Sequence, residues 1–454
     1  MTYIYFVDNI YDNITDNILD IAIHYDEKEI EMDSKLYQDY LHILKKELVP
    51  ALGCTEPIAL AYAAAKCRET LGVFPEKVEA LCSGNIIKNV KGVTVPNSGG
   101  LKGIEAAVIL GITGGDAKKA LEVLQNITDE DRERTKELIE DGLCTCSLKE
   151  GVANLFIEVR AEGGGNRAAV RLEHEHTNIT YVTYNGEVIY EDNHTYEDNQ
   201  ADKSSLNIRD IVAFANEVRI EDVRDILNRQ IKCNYAISEE GLKKPWGAGI
   251  GHFAKEQGED VRWKAIARAA AGSDARMSGC PLPVIINSGS GNQGMTCSLP
   301  VIEYARVTGK PEEQLYRALC VSNLIAQDQK RYIGALSAYC GVVCAAAASG
   351  AAITYLAGGT TEQIENTVVN TIANVGGMIC DGAKPSCASK IYSALQAAFL
   401  GHDMAMKGIR FEAGDGLVME SAEDTVKAVG HVGREGMRQT DIEILNLMIG
   451  KTEV

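Results

Sequence analysis

The chain has 454 residues, 45% of them hydrophobic and 24% charged, with 64 acidic against 45 basic side chains and a formal charge of −19. That length allows two domains with a sizeable core. The acidic balance, without any basic run, argues against a nucleic-acid surface and leaves small molecules as partners. Thirteen scattered Cys, an odd number without paired spacing, read as a reducing, cytoplasmic setting rather than a disulfide framework.

Residues 1–31 form an acidic N-terminal extension rich in Asp, Asn, Ile and Tyr, with no function assigned. Residues 32–205 are expected to form a smaller α/β domain with an antiparallel sheet, and residues 206–454 a mainly helical domain. The fold class expected is α+β.

Leu36–Leu48 has helical periodicity and Pro50 ends it. Ala51-Leu52-Gly53-Cys54-Thr55-Glu56-Pro57 then opens an Ala-rich helix to Lys66, with Pro57 in the first turn and Thr55 or Cys54 as cap. A thiol at a helix start sits beside free amides and the positive dipole end, which lowers its pKa and makes Cys54 a candidate functional group. Lys77–Asn85 alternates like a strand. The loop after it, with Asn85, Lys88, Ser98 and several glycines, suits an anionic small ligand. Leu101–Gly111, Asp116–Leu124 and Asp129–Gly142 read as helices.

Asn154–Arg160, Ala168–His174, Asn178–Tyr184 and Glu187–Tyr190 read as strands, the last pair joined by the hairpin signal Asn185-Gly186. His174 and His176 alternate around Glu175 and share one sheet face with Leu172, as a metal pair or a solvated face. Glu191–Ser205 is polar and reads as a linker.

From Leu206 the pattern is helical: Ile208–Glu217, Glu221–Ala236, Gly251–Glu256, Asp260–Gly272, Glu312–Ala326 and Thr361–Met378. Between them, apolar Val284–Ile286 leads into Asn287-Ser288-Gly289-Ser290-Gly291-Asn292-Gln293-Gly294 and a helix from Met295. The loop lacks Gly-Lys-Ser/Thr and any GxGxxG, which argues against a nucleotide; its free amides with Ser and Asn suit a carboxylate.

The uncharged run Ile333–Gly359 is long enough to span a membrane. Its Ala, Gly and Ser content places it instead at the centre of a soluble bundle. Cys380 and Cys387 flank Gly382 and Pro385 in a loop, and Cys340 lies forty positions before Cys380. Two thiols on a turn and one from a distant helix can clamp an iron–sulfur cluster and leave one iron without a protein ligand. The spacing alone is equally open to loop packing or zinc. Cys344 reads as a packing residue, and the C-terminus from Gly408 is uninformative.

Four separated motifs, LVPALGCTEPIALA at Leu48–Ala61, SGNIIKN at Ser83–Asn89, INSGSGNQG at Ile286–Gly294 and the Cys340…Cys380…Cys387 set, give the chain a resemblance. It resembles the iron–sulfur L-serine dehydratase alpha-chain-like superfamily from Met32 onward, and looks closest to its L-cysteine desulfidase branch. The dehydratases carry a Ser/His/Thr-containing turn where this chain has Gly53-Cys54-Thr55-Glu56-Pro57, which favours that branch.

The resemblance implies a [4Fe–4S] cluster on Cys340, Cys380 and Cys387, with one iron open to substrate. It further implies β-elimination of L-cysteine to hydrogen sulfide, ammonia and pyruvate. Cys54 is the expected base or transient iron ligand. Thr55, Asn85, Lys88, Ser288, Gly289, Asn292 and Lys384 are the expected substrate-binding residues. L-serine dehydration by the same cluster is the alternative; from another class, a non-catalytic zinc or redox-sensing cysteine protein. The expected partner is a small amino acid, with no nucleic acid and no membrane, and the Ala-rich helices can bury a homodimer face.

Overall fold

The computed structural model describes residues 32–192, 202–334 and 337–452. The extension 1–31 and residues 193–201 of the linker lie outside them. Helix α1 (Ser34–Glu47) is capped by the Asp33 carboxylate, which accepts from the Lys35 and Leu36 amides. Strand β1 (Pro50–Leu52) follows, then a turn with Gly53 at φ +60° and helix α2 (Thr55–Leu71). Strand β2 (Lys77–Cys82) leads to helices α3 (Gly84–Val90) and α4 (Gly103–Gly114), a 3₁₀ turn at Ala117–Glu122, and helix α5 (Asp129–Glu140). Strands β3 (Cys144–Leu148), β4 (Phe156–Gly163), β5 (Asn166–Glu173), β6 (Ile179–Tyr184) and β7 (Glu187–Glu191) complete a sheet of order β3-β2-β4-β5-β6-β7.

The β4 to β7 meander is antiparallel throughout, and Asn185 (φ +50°) and Gly186 (φ +87°) both take the left-handed conformation that its last hairpin turn needs. The sheet as a whole is mixed, because β3 pairs parallel to β2. Cys-Thr-Cys-Ser-Leu carries too little apolar alternation to announce that edge strand. Ala-rich α2 lies on the buried face, where the Cys67 thiol reaches the carbonyls of Val159 and Ala168. Helix α4 crosses α2 closely: a Cβ at Gly111 would sit 2.3 Å from the Ala61 carbonyl oxygen.

The helical part holds α6 (Ile208–Glu217), α7 (Ile220–Lys243), α8 (Ile250–Glu256), α9 (Val261–Met277), strand β8 (Pro283–Ile285), α10 (Gly291–Val307), α11 (Glu312–Ile333), α12 (Val342–Leu356), α13 (Thr361–Val375), α14 (Cys387–Met406), α15 (Ala422–His431) and α16 (Arg438–Met448). The uncharged run becomes α12, packed against α10, α11, α13 and α14 with Val342–Thr354 all buried. Small side chains make that possible, since bulky ones would hold the neighbouring axes apart. Among the described residues no helix is long and apolar enough to cross a membrane.

Residues 32–51 pack with the helical part rather than the sheet, whose core begins with Leu52. Tyr40 of α1 meets Phe214 of α6 edge-on with ring centroids 5.5 Å apart, and β1 pairs antiparallel with β8, Pro50 opposite Ile285. A buried amide chain then fixes the start of the Gly-rich loop. Gln230 and Asn323 exchange hydrogen bonds at 3.0 and 2.9 Å, Asn287 donates to Asn323, and Gln327 donates to both Asn287 and Glu47. Buried networks of this kind hold one arrangement, although Gln327 Oε1 is left without a donor among the described residues.

Several expectations are corrected. Asp116–Leu124 is not a continuous helix: Ala120 sits at φ +45° and breaks it. Helix α10 starts at Gly291 rather than Met295, and α11 runs on to Ile333. The supposedly uninformative C-terminus supplies two helices. His174 and His176 do not share a strand face, because β5 ends at Glu173 and His174 turns to φ +70°.

Candidate active site

A cavity of about 1360 Å³ lies where the sheet-bearing and helical parts meet, beyond the roughly 300–1,000 Å³ usual for small-molecule pockets. Basic side chains outnumber acidic ones on its wall by eight to four, although the chain carries −19 overall. Such focusing favours an anionic occupant.

One wall is the cysteine loop. Tyr339 and Ile379 form an isolated antiparallel bridge, the Cys340 amide donates to the Met378 carbonyl at 2.9 Å, and the Cys380 amide donates to Ala338 at 2.6 Å. The Cys340 and Cys380 thiols are close enough to shift each other's pKa, and Cys387, the first residue of α14, lines the same wall. Gly382 (φ +93°) lets the loop press on α3: a Cβ there would lie 2.3 Å from the Lys88 carbonyl oxygen.

Three lysines surround these thiols. Lys88, 2% exposed, pairs with Asp441 of α16. Lys390 donates to the Ile379 carbonyl and pairs with Asp381. Lys330 lines the cavity from α11, and its burial holds its pKa below the usual lysine value. The Cys340 thiol, donating to Cys380, draws the Cys380 pKa down to about 5 against burial, with help from Lys88 and Lys390. Donating to Cys380, and burial, push Cys340 well up; burial raises Cys387.

A second wall is the start of α2. Glu56 Oε1 accepts from Asn89 Nδ2 at 3.0 Å, and Oε2 accepts from the Cys54 thiol at 3.1 Å. Thr55 Oγ1 lies 3.1 Å from both Glu56 Oε2 and the Gly289 carbonyl oxygen. Burial pulls the Glu56 pKa upward, but His176, the Cys54 donor and Arg276 outweigh it and leave a carboxylate below its ordinary value. His176 arrives from the β5–β6 turn. Burial lowers its pKa while Glu56 raises it, and its Nε2 is buried without a partner among the described residues.

A profile of the serine dehydratase alpha chain matches residues 118–446. The chain belongs to the serine dehydratase alpha-chain family. Its relatives include proteins named UPF0597 from Finegoldia magna (49% identical over 416 residues) and Lachnoclostridium phytofermentans (50% over 416 residues), each alignment covering 91% of this chain and 100% of the relative. A UPF0597 protein of Treponema denticola is 45% identical over 429 residues, covering 92% of this chain and 100% of its own.

Of the residues singled out from sequence, this serine dehydratase-like chain brings Cys54, Lys88, Ser288, Gly289, Asn292, Cys340, Cys380 and Cys387 to the cavity. Thr55, Asn85 and Lys384 are not on its wall. Lys384 pairs with Asp381 at 2.5 Å and is off the wall, while Lys390, which shares that carboxylate, lines the cavity. Glu56, Asn89, Arg276, Gln293, Lys330 and Lys390, also on the wall, have no role assigned from sequence, and His176, which the sequence offers as a metal ligand or a solvated residue, lies on it too.

The low pKa expected for Cys54 is reversed. Burial, with Glu56 beside it, pushes the thiol well above its usual value, and both outweigh the helix dipole. At pH 7 and without metal, iodoacetamide should therefore modify Cys380, whose pKa is drawn down to about 5, before Cys54. Peptide mass mapping reads the order, and preferential labelling of Cys54 would contradict these electrostatics.

Among the described residues no three His, Cys, Asp or Glu side chains are grouped to hold a single metal ion. The donor set at the cysteine wall is of another kind: three thiols on one concave face, one already ionised, ringed by three lysines. Such a set fits an anionic metal–sulfide group larger than one ion.

Proposed function

We propose that the protein is an iron–sulfur-dependent lyase that removes the β-substituent of a small L-amino acid, with L-cysteine as substrate. The observation that carries this reading is the convergence of Cys340, Cys380 and Cys387 on the wall of the cavity that also holds Glu56 and His176. Iron–sulfur dependence is general in the serine dehydratase alpha-chain family. Those three thiolates would hold the cluster, with Lys88, Lys330 and Lys390 offsetting its charge. Bound there, it supplies an iron with no protein ligand, a Lewis acid for the leaving sulfur.

The remaining work falls to the chain's own groups. Cys54 is a poor base, because its proton is held by burial and by Glu56. His176 is the better acceptor of the Cα proton: it is neutral at pH 7, its Nε2 is unpartnered, and Glu56 stabilises the imidazolium that forms. Loss of the Cα proton and of the β-sulfur as sulfide leaves 2-aminoacrylate. Its tautomer takes up one water to give pyruvate and ammonia, so cysteine and water balance sulfide, pyruvate and ammonia.

The family description favours L-serine as a second reading. Anaerobic assay of pyruvate from both amino acids, and of sulfide from cysteine, separates the two. Pyruvate and sulfide in equal amounts from L-cysteine, at kcat/KM above that for serine, is expected; pyruvate from serine alone would overturn the cysteine assignment.

A further inference from the structure

Arg276, at the end of α9, is 2% exposed yet lines the cavity. Its Nε donates to the Gly53 carbonyl at 2.8 Å, fixing the plane of the guanidinium. Gly291 makes room for it: a Cβ there would lie 2.4 Å from Nε and 2.8 Å from Cζ. Its Nη1 and Nη2 have no hydrogen-bond or ion-pair partner among the described residues. The nearby carboxylate does not supply one, since Glu56 is engaged by Asn89 on one oxygen and by Cys54 on the other. The terminal nitrogens of Arg276, not sealed from solvent, open onto the cavity, and their fork matches a planar carboxylate.

The groups beside it have the opposite need. Asn292 Oδ1 and Gln293 Oε1, in the first turn of α10 directly after Gly291, are buried acceptors without a donor. Gln293 in turn packs on the cysteine wall, where a Cβ at Gly341 would lie 2.5 Å from its Cδ. From Arg276 to Cys340 the cavity therefore presents a fixed cation and then two amide oxygens.

We infer that this is a cradle for a zwitterionic α-amino acid, with the α-carboxylate on Arg276 and the α-ammonium on the Asn292 and Gln293 amide oxygens. The assignment rests on the lyase reading and narrows it to substrates whose amino and carboxyl groups are both free. It replaces Lys88, already paired with Asp441, as the carboxylate anchor.

Binding rather than turnover tests it. L-Alanine keeps both charged groups and has no β leaving group; propionate lacks the ammonium and ethylamine the carboxylate. Each is titrated by NMR against anaerobically purified full chain, wild type, Arg276→Met and Arg276→Lys. L-Alanine should bind wild type, propionate and ethylamine each roughly 10- to 100-fold more weakly, as loss of one charge-assisted contact implies. Arg276→Met should lose L-alanine by a similar factor without changing its weak ethylamine affinity. Arg276→Lys, which keeps the charge but not the fork, should fall between, and it decides if the Met variant does not fold.

Equal L-alanine affinity in wild type and either folded variant would overturn the Arg276 assignment while leaving the amino-acid reading intact. Propionate binding as tightly as L-alanine would overturn the ammonium site. Failure of wild type to bind L-alanine at all would remove both the cradle and the lyase reading.

Discussion

Cys380→Ser should strip the protein of iron and sulfide and abolish turnover while leaving it folded. Cys380 is the one thiol of the three whose pKa is drawn down, to about 5, by the Cys340 thiol, Lys88 and Lys390. Serine has nearly the same shape, so the backbone bonds that define the loop, from Cys340 to Met378 and from Cys380 to Ala338, should survive. Its hydroxyl does not ionise at neutral pH and is a poor ligand for iron. Metal analysis and circular dichroism on the same sample separate loss of ligand from loss of fold. Cys344→Ala is the control: Cys344 is buried in α12, among small side chains it resembles. Full iron occupancy in Cys380→Ser would remove Cys380 from the ligand set.

The second large effect belongs to His176. Removing a positioned base costs roughly 10²- to 10⁴-fold in rate, and His176→Gln should fall in that range with its affinity for L-alanine little changed. The pH profile gives the sharper signature. A neutral imidazole is the working form, so kcat/KM should fall as pH drops through a pKa that burial holds below 6.5. Glu56 opposes that depression by stabilising the imidazolium. Glu56→Gln should therefore lower the His176 pKa further and move the acid limb to lower pH, and His176→Gln should remove the limb. An acid limb at the same pH in both variants would show that another group titrates.

Much of the cysteine wall was legible because its elements are local. A small-sided uncharged run reads as a central helix, and Gly382 and Pro385 mark the loop between Cys380 and Cys387; bringing Cys340, forty positions earlier, to the same wall is implied only by the family resemblance. The second wall was hidden by errors of period and boundary. His176 reads from sequence as a metal ligand or a solvated residue on a strand face because alternation is carried past Glu173, where His174 turns to φ +70°. Arg276 and Lys330 stand beyond the points, Gly272 and Ala326, at which their helices were expected to stop; in both cases packing extends the helix past its apolar pattern.

Lys88 illustrates a different failure. A lysine in a Gly- and Asn-rich loop suggests an anion, but its partner Asp441 is 353 residues away in a helix whose own sequence announces nothing. Cys54 shows how magnitude decides. The helix N-terminus does favour a thiolate, yet its few tenths of a kcal/mol to about 1 kcal/mol cannot match complete burial beside a carboxylate.

The most direct test of the account is the iron and acid-labile sulfide content of protein purified without oxygen. About four of each per chain, as one cubane on three cysteines requires, is the predicted result. Absence of iron after anaerobic reconstitution, in protein that is folded, would contradict the lyase reading and leave the three cysteines as a packed and partly ionised cavity wall.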